Sequence, residues 1–174
     1  FPKVAIPPEL WMLGSSEDSA TLAALTGLPY NFAYFINPQI RPDIFDYYRE
    51  HFEPGPNWQE PHTSLTVFTI CAETEEEAVE LSKSRDLWFI RLLRGDPGPF
   101  PSVQEAMGYD YSKGELSAIE ENRDCRAVGT PEQVCAKLRS YVDKFELDEL
   151  MILTITHNNQ ARRRSYELLA SAWL

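Results

Sequence analysis

Three serines lie close together directly after a short apolar run of the sequence. Ser15, Ser16 and Ser19 follow Gly14, and a helical pattern begins at Glu17. Hydroxyl groups and free backbone amides at a helix N-terminus suit a phosphate group, because the helix dipole favours negative charge there. Gly14 has no side chain, so a ligand can approach the backbone closely. An ordinary helix cap formed by Ser15 or Ser16 accounts for the same residues, and both interpretations stay open at this point.

The other reactive residue types form no catalytic or metal-binding pattern. His51, His62 and His157 are scattered, and only His157 follows a predicted strand, where the active-site loops of barrels begin. The three cysteines form no CxxC or Cys–His pattern, so we predict no metal site. Signatures of P-loops, dinucleotide-binding folds and serine hydrolases are absent from the sequence. The residues alone therefore assign no catalytic group.

The composition is that of an acidic globular protein. Its 174 residues include 27 Asp and Glu against 16 Lys and Arg, a formal net charge of -11. Such a chain repels nucleic acids and anionic membranes, because binding either requires a basic face. No apolar run approaches the roughly 20 residues of a membrane span. The few cysteines are typical of a reducing compartment, so we predict a cytoplasmic protein that binds neither nucleic acid nor membrane.

The elements that must position the serines alternate between strands and helices. Apolar runs predict strands at residues 9–13, 30–36, 64–71 and 150–156. Helical patterns predict helices at 17–26, 42–52, 74–94, 130–145 and 161–173. Residues 96 to about 128 are predicted to be an irregular insertion with weak helical patches near Glu105 and Glu115. Four strand–helix pairs within one domain, residues 1–174, indicate a parallel sheet, either an open wound sheet or an arc of a (β/α)8 barrel.

Several segments resemble the bacterial luciferase-like flavin monooxygenases, in the same order along the chain. Residues 13–20 (LGSSEDSA) and 27–29 (GLP) are similar to a GSSxxSA segment that follows one barrel strand in that family. Residues 128–134 (VGTPEQV), 148–151 (DELM) and 164–170 (RSYELLA) are similar to its C-terminal region. The resemblance implies a TIM barrel, (β/α)8, of which this chain is the C-terminal half, strands five to eight. The start at Phe1 rather than Met agrees with a processed product or a fragment.

The resemblance also implies a cofactor and its contacts. Members of the family bind reduced FMN, or a deazaflavin in one branch, at the carboxyl ends of the strands. By resemblance, the cofactor-binding residues are Leu13, Gly14, Ser15, Ser16, Ser19 and Tyr34. The serines would hold the flavin phosphate, the Leu-Gly backbone would lie against the cofactor, and the tyrosine would flank the isoalloxazine ring. Two acidic residues, Glu17 and Asp18, lie beside the position implied for the phosphate, with no cation near them in the sequence. The sequence also departs from the family pattern at Tyr34-Phe35, where many close relatives carry Ser-His.

The implied function is that of a fragment of a flavin-dependent monooxygenase. The whole enzyme would use reduced FMN and O₂ on a small organic substrate and receive reduced flavin from a partner reductase, while this chain alone would be inactive. The flavin carries out the oxygen chemistry, and the protein places it and excludes water. Two alternatives stay open: a deazaflavin-dependent reductase of the same barrel family, and a non-catalytic half-barrel. The unpaired edges of a half-barrel would associate with the missing N-terminal half or with a second copy.

Overall fold

The computed structural model describes residues 8–96 and 98–174. Within this part of the chain, one parallel sheet contains strands β1 (Met12–Gly14), β2 (Tyr30–Ala33), β3 (Thr63–Cys71), β4 (Arg126–Gly129) and β5 (Glu149–Leu153). The helices are α1 (Glu17–Thr26), α2 (Ile44–Glu50), α3 (Glu75–Leu93), α4 (Val103–Met107), α5 (Lys113–Glu121), α6 (Pro131–Phe145) and α7 (Asn159–Trp173). Among these helices, none combines the length and apolar character needed to cross a membrane.

Strand β3 lies at the centre of the sheet. Its first half pairs with β2, in the register Tyr30 opposite Thr63, and residues from Ser64 onward pair with β5. Its second half pairs with β4, beginning with Phe68 opposite Arg126. In the described residues β1 pairs with β2 alone and β5 pairs with β3 alone. The sheet therefore has an open edge at β1 and another at β5.

The main hydrophobic core lies between the sheet and helices α1, α2, α6 and α7. From the central strands it takes Tyr30, Phe32, Leu65 and Val67. Side chains alternate between the two faces of a strand, so the residues between these four point to the opposite side, which we call the inner face. The helices thus cover one face of the sheet continuously.

Helix α3 covers the inner face at the carboxyl end of β3. Its residue Ala78 packs with Phe68 and Ile70 in a second, smaller core. The Arg85 guanidinium carbon lies 5.2 Å from the centre of the Phe68 ring. Thr74 begins this helix as its N-cap, where its side chain accepts a hydrogen bond from the backbone of Glu77. Through these contacts α3, the first helix between β3 and β4, packs against the carboxyl end of the central strand.

The predicted alternation of strands and helices is confirmed, with one addition. The weak helical patches expected near Glu105 and Glu115, within the segment from 96 to about 128, are the helices α4 and α5, and the segment leads into β4, a strand that was not predicted. The sheet accordingly has one strand more than the four that were predicted. Strand β4 has four residues and begins with the charged Arg126, whose burial depends on an ion pair with Asp86. So short a strand with a charged first residue gives no readable apolar run.

Candidate functional site

Helix α1 begins at the serine segment that the sequence singled out. Ser16 is its N-cap and has an extended backbone, with φ -144° and ψ 167°. The Ser16 hydroxyl oxygen accepts a hydrogen bond from the Ser19 amide at 3.4 Å, and the Ser16 amide donates to Ser19 Oγ at 3.2 Å. These reciprocal bonds form a capping box. The capping interpretation of the segment is therefore confirmed.

A cavity of about 380 Å³ lies at the carboxyl ends of β1 and β2, next to the N-terminus of α1. We call it the strand-end cavity, and it is lined by Ser15, Ser16, Glu17, Asp18, Phe32, Asn37, Gln39, Arg41 and Ile44. Asn37 connects the loops that follow the two strands, because its Nδ2 donates to the Ser15 carbonyl oxygen at 2.9 Å. The amides of Glu17 and Asp18 lie in the first helical turn, where a helix supplies no backbone acceptor. Hydroxyls, amides and one guanidinium thus meet in a single cavity.

The charge of the strand-end cavity is dominated by carboxylates. Arg41 Nη1 lies 2.6 Å from Glu17 Oε1, and Arg41 Nη2 lies 2.6 Å from Asp43 Oδ2. These hydrogen bonds, with that of Asp43 first, raise the pKa of Arg41, and the bond with Arg41 lowers the pKa of Asp43. No cation lies close to the acidic first turn in the sequence, but the fold returns Arg41 to it from the loop after β2. Among the described lining residues Arg41 is nevertheless outnumbered by Glu17 and Asp18, and it is also paired with Asp43.

The structure brings two of the predicted cofactor residues, Ser15 and Ser16, to this cavity. Ser19 lies behind them, with its hydroxyl 3.1 Å from the Tyr30 hydroxyl. A Cβ atom on Gly14 would lie 2.1 Å from the Ser19 side chain. Gly14 is therefore required for the close approach of Ser19, independently of any ligand.

Leu13 and Tyr34 lie in other surroundings. Leu13 lies on the inner face of β1 and is 57% exposed. Tyr34 is buried, and its ring packs edge-on against Tyr141 with the ring centres 5.5 Å apart. It lines another cavity of about 1040 Å³, together with residues of α3, α5 and α6, and this cavity shares Gln39 with the strand-end cavity. The structure therefore does not bring Tyr34 to the N-terminus of α1.

A buried polar network on the inner face was not predicted. Asn31 Nδ2 donates to Ser64 Oγ at 2.7 Å, and Thr66 Oγ1 donates to Asn31 Oδ1 at 2.6 Å. All three side chains are buried. In the sequence, this network is indicated by polar residues at every second position of otherwise apolar strands. The bonds fix the orientation of the Asn31 amide on the side of the sheet opposite the main core.

The other segments that carry the resemblance stabilise the fold. Thr130 caps α6 within a capping box. The Asp148 carboxylate accepts hydrogen bonds from the Thr63 amide and the Thr63 hydroxyl, both at 2.8 Å. Ser165 Oγ accepts the amide of Cys71 at 2.8 Å. These contacts hold α6, β5 and α7 in place around β3, whereas residues 15–18 lie at the strand-end cavity.

Residues 1–145 match the family model described as luciferase-like monooxygenase, and the chain belongs to this family. It is 39% identical over 173 residues to the Bacillus subtilis (strain 168) protein YceB, covering 99% of this chain and 52% of that protein. It is 31% identical to a luciferase-like monooxygenase of Escherichia coli (strain K12), covering 91% of this chain and 48% of that one. The crystal structure of apo-MsnO8 matches with a TM-score of 0.87 at 35% identity, over 99% of this chain and 52% of that one. The chain thus spans about half the length of the curated relatives it matches.

More distant structures share the fold alone. The oxygenating constituent of 3,6-diketocamphane monooxygenase from Pseudomonas putida, in complex with FMN, matches with a TM-score of 0.60 at 18% identity, and this chain covers 49% of it. An F420-dependent secondary alcohol dehydrogenase, in complex with an F420-acetone adduct, matches with a TM-score of 0.57 at 11% identity, and 51% of it is covered. The predicted fold class, an α/β half of a luciferase-type (β/α)8 barrel, is confirmed by the parallel sheet and by these neighbours of about twice its length.

Proposed function

We propose that this chain forms the phosphate-binding half of a luciferase-like monooxygenase that uses reduced FMN and O₂ on a small organic substrate. Membership of the family supports the reaction class. The observation that carries the proposal is the strand-end cavity, where the hydroxyls of Ser15 and Ser16 meet the first-turn amides of α1. When bound, the flavin supplies the oxygen chemistry, and the chain holds its phosphate and orients it.

The donors of the strand-end cavity fit a phosphate group. The Ser16 oxygen accepts the Ser19 amide, so the Ser16 hydroxyl hydrogen stays available to donate. Ser15 and the amides of Glu17 and Asp18 add further donors at the positive end of the helix dipole. In our proposal Leu13 is the apolar contact of the cofactor on the inner face, and Ser19 and Gly14 keep the cap in position.

The carboxylates set a condition on binding. A phosphate monoester carries a charge of about -1.5 to -2 at neutral pH, and Glu17 and Asp18 repel it. Arg41 is bonded to Glu17. We therefore propose that Arg41 turns from Glu17 to the phosphate on binding, and that the remaining positive charge comes from the other half of the protein.

The open edges of the sheet support association with that other half. Leu13 on β1 is 57% exposed and Met151 on β5 is 46% exposed, and strand alternation places both on the inner face. Unpaired strand edges with apolar neighbours favour the addition of further strands. We propose the remaining half-barrel as the partner, because the matched relatives have about twice the length of this chain.

Titration of the whole protein, this chain together with its other half, with FMN and with riboflavin, followed by backbone amide NMR, tests the phosphate site. The two ligands differ only in the phosphate, so we expect FMN to shift the Glu17 and Asp18 amides and riboflavin to leave them unchanged. Replacing Ser15 with alanine spares the Ser16 cap and should weaken FMN binding at least about tenfold, since a hydrogen bond to a charged group contributes about 1.5–3 kcal/mol. Ser171→Ala is the control, because this hydroxyl donates to the Glu167 carbonyl on α7, outside the cavity.

Two results would contradict this proposal. Equal shifts with FMN and riboflavin would show that the phosphate does not bind at the N-terminus of α1. Unchanged FMN affinity in Ser15→Ala would show that the Ser15 hydroxyl does not contact the phosphate. The same titration with coenzyme F420 addresses the cofactor, because a clear preference for F420 over FMN would place the chain in the deazaflavin branch. Oxygen uptake by the whole protein with reduced FMN and a reductase tests the monooxygenase reaction itself.

A further inference from the structure

A third cavity lies in the insertion, between α3, α4, α5 and β4. Its volume is about 470 Å³, within the roughly 300–1,000 Å³ of small-molecule sites. Among the described residues it shares no lining residue with the strand-end cavity. Its apolar wall consists of Val79, Ala106, Met107, Leu116, Ile119 and Val128, with Tyr109 and Tyr111 beside them. We call it the α3–α5 cavity.

The charged groups of the α3–α5 cavity are mainly cationic. Lys83, Arg123, Arg126 and Asp86 line it. Asp86 Oδ1 lies 2.5 Å from Arg126 Nη1, so the single carboxylate is already neutralised. Arg123 forms an exposed pair with Glu120 at 3.1 Å, while Lys83 is in no ion pair within residues 8–96 and 98–174. This positive lining contrasts with the net charge of -11 of the whole chain.

Buried charge next to the cavity adds to this positive potential. Arg85 is 4% exposed, and its Nη1 has no hydrogen-bond partner in the described structure. Burial and then the nearby charge of Arg126 lower the pKa of Arg85 to about 10. Arg126 is buried as well and is held by Asn122, whose Oδ1 accepts from Arg126 Nη2 at 3.1 Å. Asp86 therefore pairs with one buried guanidinium, that of Arg126, and lies near a second, that of Arg85, with which it forms no ion pair in the described residues.

We propose that the α3–α5 cavity binds a small monocarboxylate with an apolar or aromatic body. Carboxylate oxygens only accept hydrogen bonds, and the side chains of Lys83 and Arg126 only donate them. A hydrogen bond between a cationic donor and a carboxylate is also stronger than one between neutral groups. The apolar body would contact Met107 and the tyrosine rings. Because the ion pair and Asn122 hold Arg126 in place, binding needs little reorganisation. This site is separate from the proposed flavin site and does not depend on it.

Methionine methyl NMR can test the proposal on the full chain. The sequence has three methionines, of which Met107 lines the cavity while Met12 and Met151 do not. The probes are phenylbutanoate and its neutral analogue phenylbutanol. We expect phenylbutanoate to shift the Met107 methyl in a saturable manner, to leave the other two methyls unchanged, and to bind at least tenfold more tightly than the alcohol.

Variants separate the charged and apolar contributions. Lys83→Met should weaken phenylbutanoate several-fold and leave phenylbutanol unaffected, whereas Lys113→Met, outside the cavity, should change neither. Met107→Trp should fill the cavity and abolish binding of both probes, with binding read by calorimetry. Equal affinity of the acid and the alcohol, or a Met107 methyl that does not respond, would overturn the proposal. Displacement of phenylbutanoate by FMN would likewise overturn it, because the cavity would then belong to the flavin site.

Discussion

Replacing Asp86 with asparagine removes the negative charge that pairs with the buried Arg126 and lies near the buried Arg85. Arg126 and Asp86 lie 2.5 Å apart, with side chains that are 4% and 14% exposed. Arg85 lies nearby, is buried, and forms no ion pair in the described residues. Asp86→Asn therefore leaves two cations close together in a region where water screens them poorly.

The expected loss of stability follows from this burial. Removing one partner of a buried ion pair typically costs about 3–5 kcal/mol. Asparagine keeps an acceptor oxygen, and Asn122 still accepts from Arg126, so we expect the lower end, about 3 kcal/mol. At about 2–4 °C per kcal/mol for a domain of this size, the Tm should fall by about 6–12 °C.

Urea unfolding followed by circular dichroism measures this loss, with an unchanged m-value as the sign that the unfolded surface is the same. Glu120→Gln is the matched control, because it breaks the pair with Arg123, in which the side chains are 62% and 69% exposed. Such an exposed pair contributes about 0.2–1 kcal/mol. Adding Arg85→Met to Asp86→Asn should recover part of the loss, since one buried cation then remains. A loss below about 1 kcal/mol would refute the reasoning from the buried ion pair, and no recovery in the double variant would refute the repulsion between the two buried cations.

Two further predictions concern the cap of α1 and the buried tyrosines. Gly14→Ala should destabilise the chain by about 1–3 kcal/mol through overpacking against Ser19, whereas Gly114→Ala, where an added Cβ meets nothing within 4 Å, should be neutral or stabilising in thermal melts. Burial raises the pKa to about 12 for Tyr30, Tyr34 and Tyr111. Tyrosine in the unfolded chain has a pKa of about 10. The buried, neutral tyrosines therefore stabilise the folded chain fully below about pH 10, and this stabilisation is lost as the pH rises toward about 12. Tyrosinate absorbance of the folded chain checks this, and complete titration near pH 10 without unfolding would contradict it.

Helix ends were predictable wherever local chemistry determines them. The predicted helix at residues 17–26 coincides with α1, because Ser16 caps its start and Gly27, with φ 62°, ends it in the left-handed conformation. Thr74 and Thr130 mark the starts of α3 and α6 in the same local manner. These signals depend on neighbours within four residues, so they can be read without knowledge of the fold.

The surroundings of the candidate site were less predictable, because they depend on the path of the chain. The strand predicted at 30–36 ends at Ala33, where the Ile36 amide bonds back to the Ala33 carbonyl and the chain turns. That turn carries Tyr34 toward α6 instead of toward the serines. The same loop brings Arg41 to Glu17. Neither contact has a signature in the local sequence.

The central position of β3 has a consequence for the exchange of backbone amides with deuterium. Strand β3 has neighbours on both sides, whereas β1 and β5 each pair with one strand in the described chain. Local opening releases edge amides well before global unfolding does. Amides of β3 should therefore exchange slowest, and those of β1 and β5 early. Addition of strands at the two edges would slow exchange there and leave β3 unchanged, so the exchange rates would report completion of the barrel without any measurement of activity.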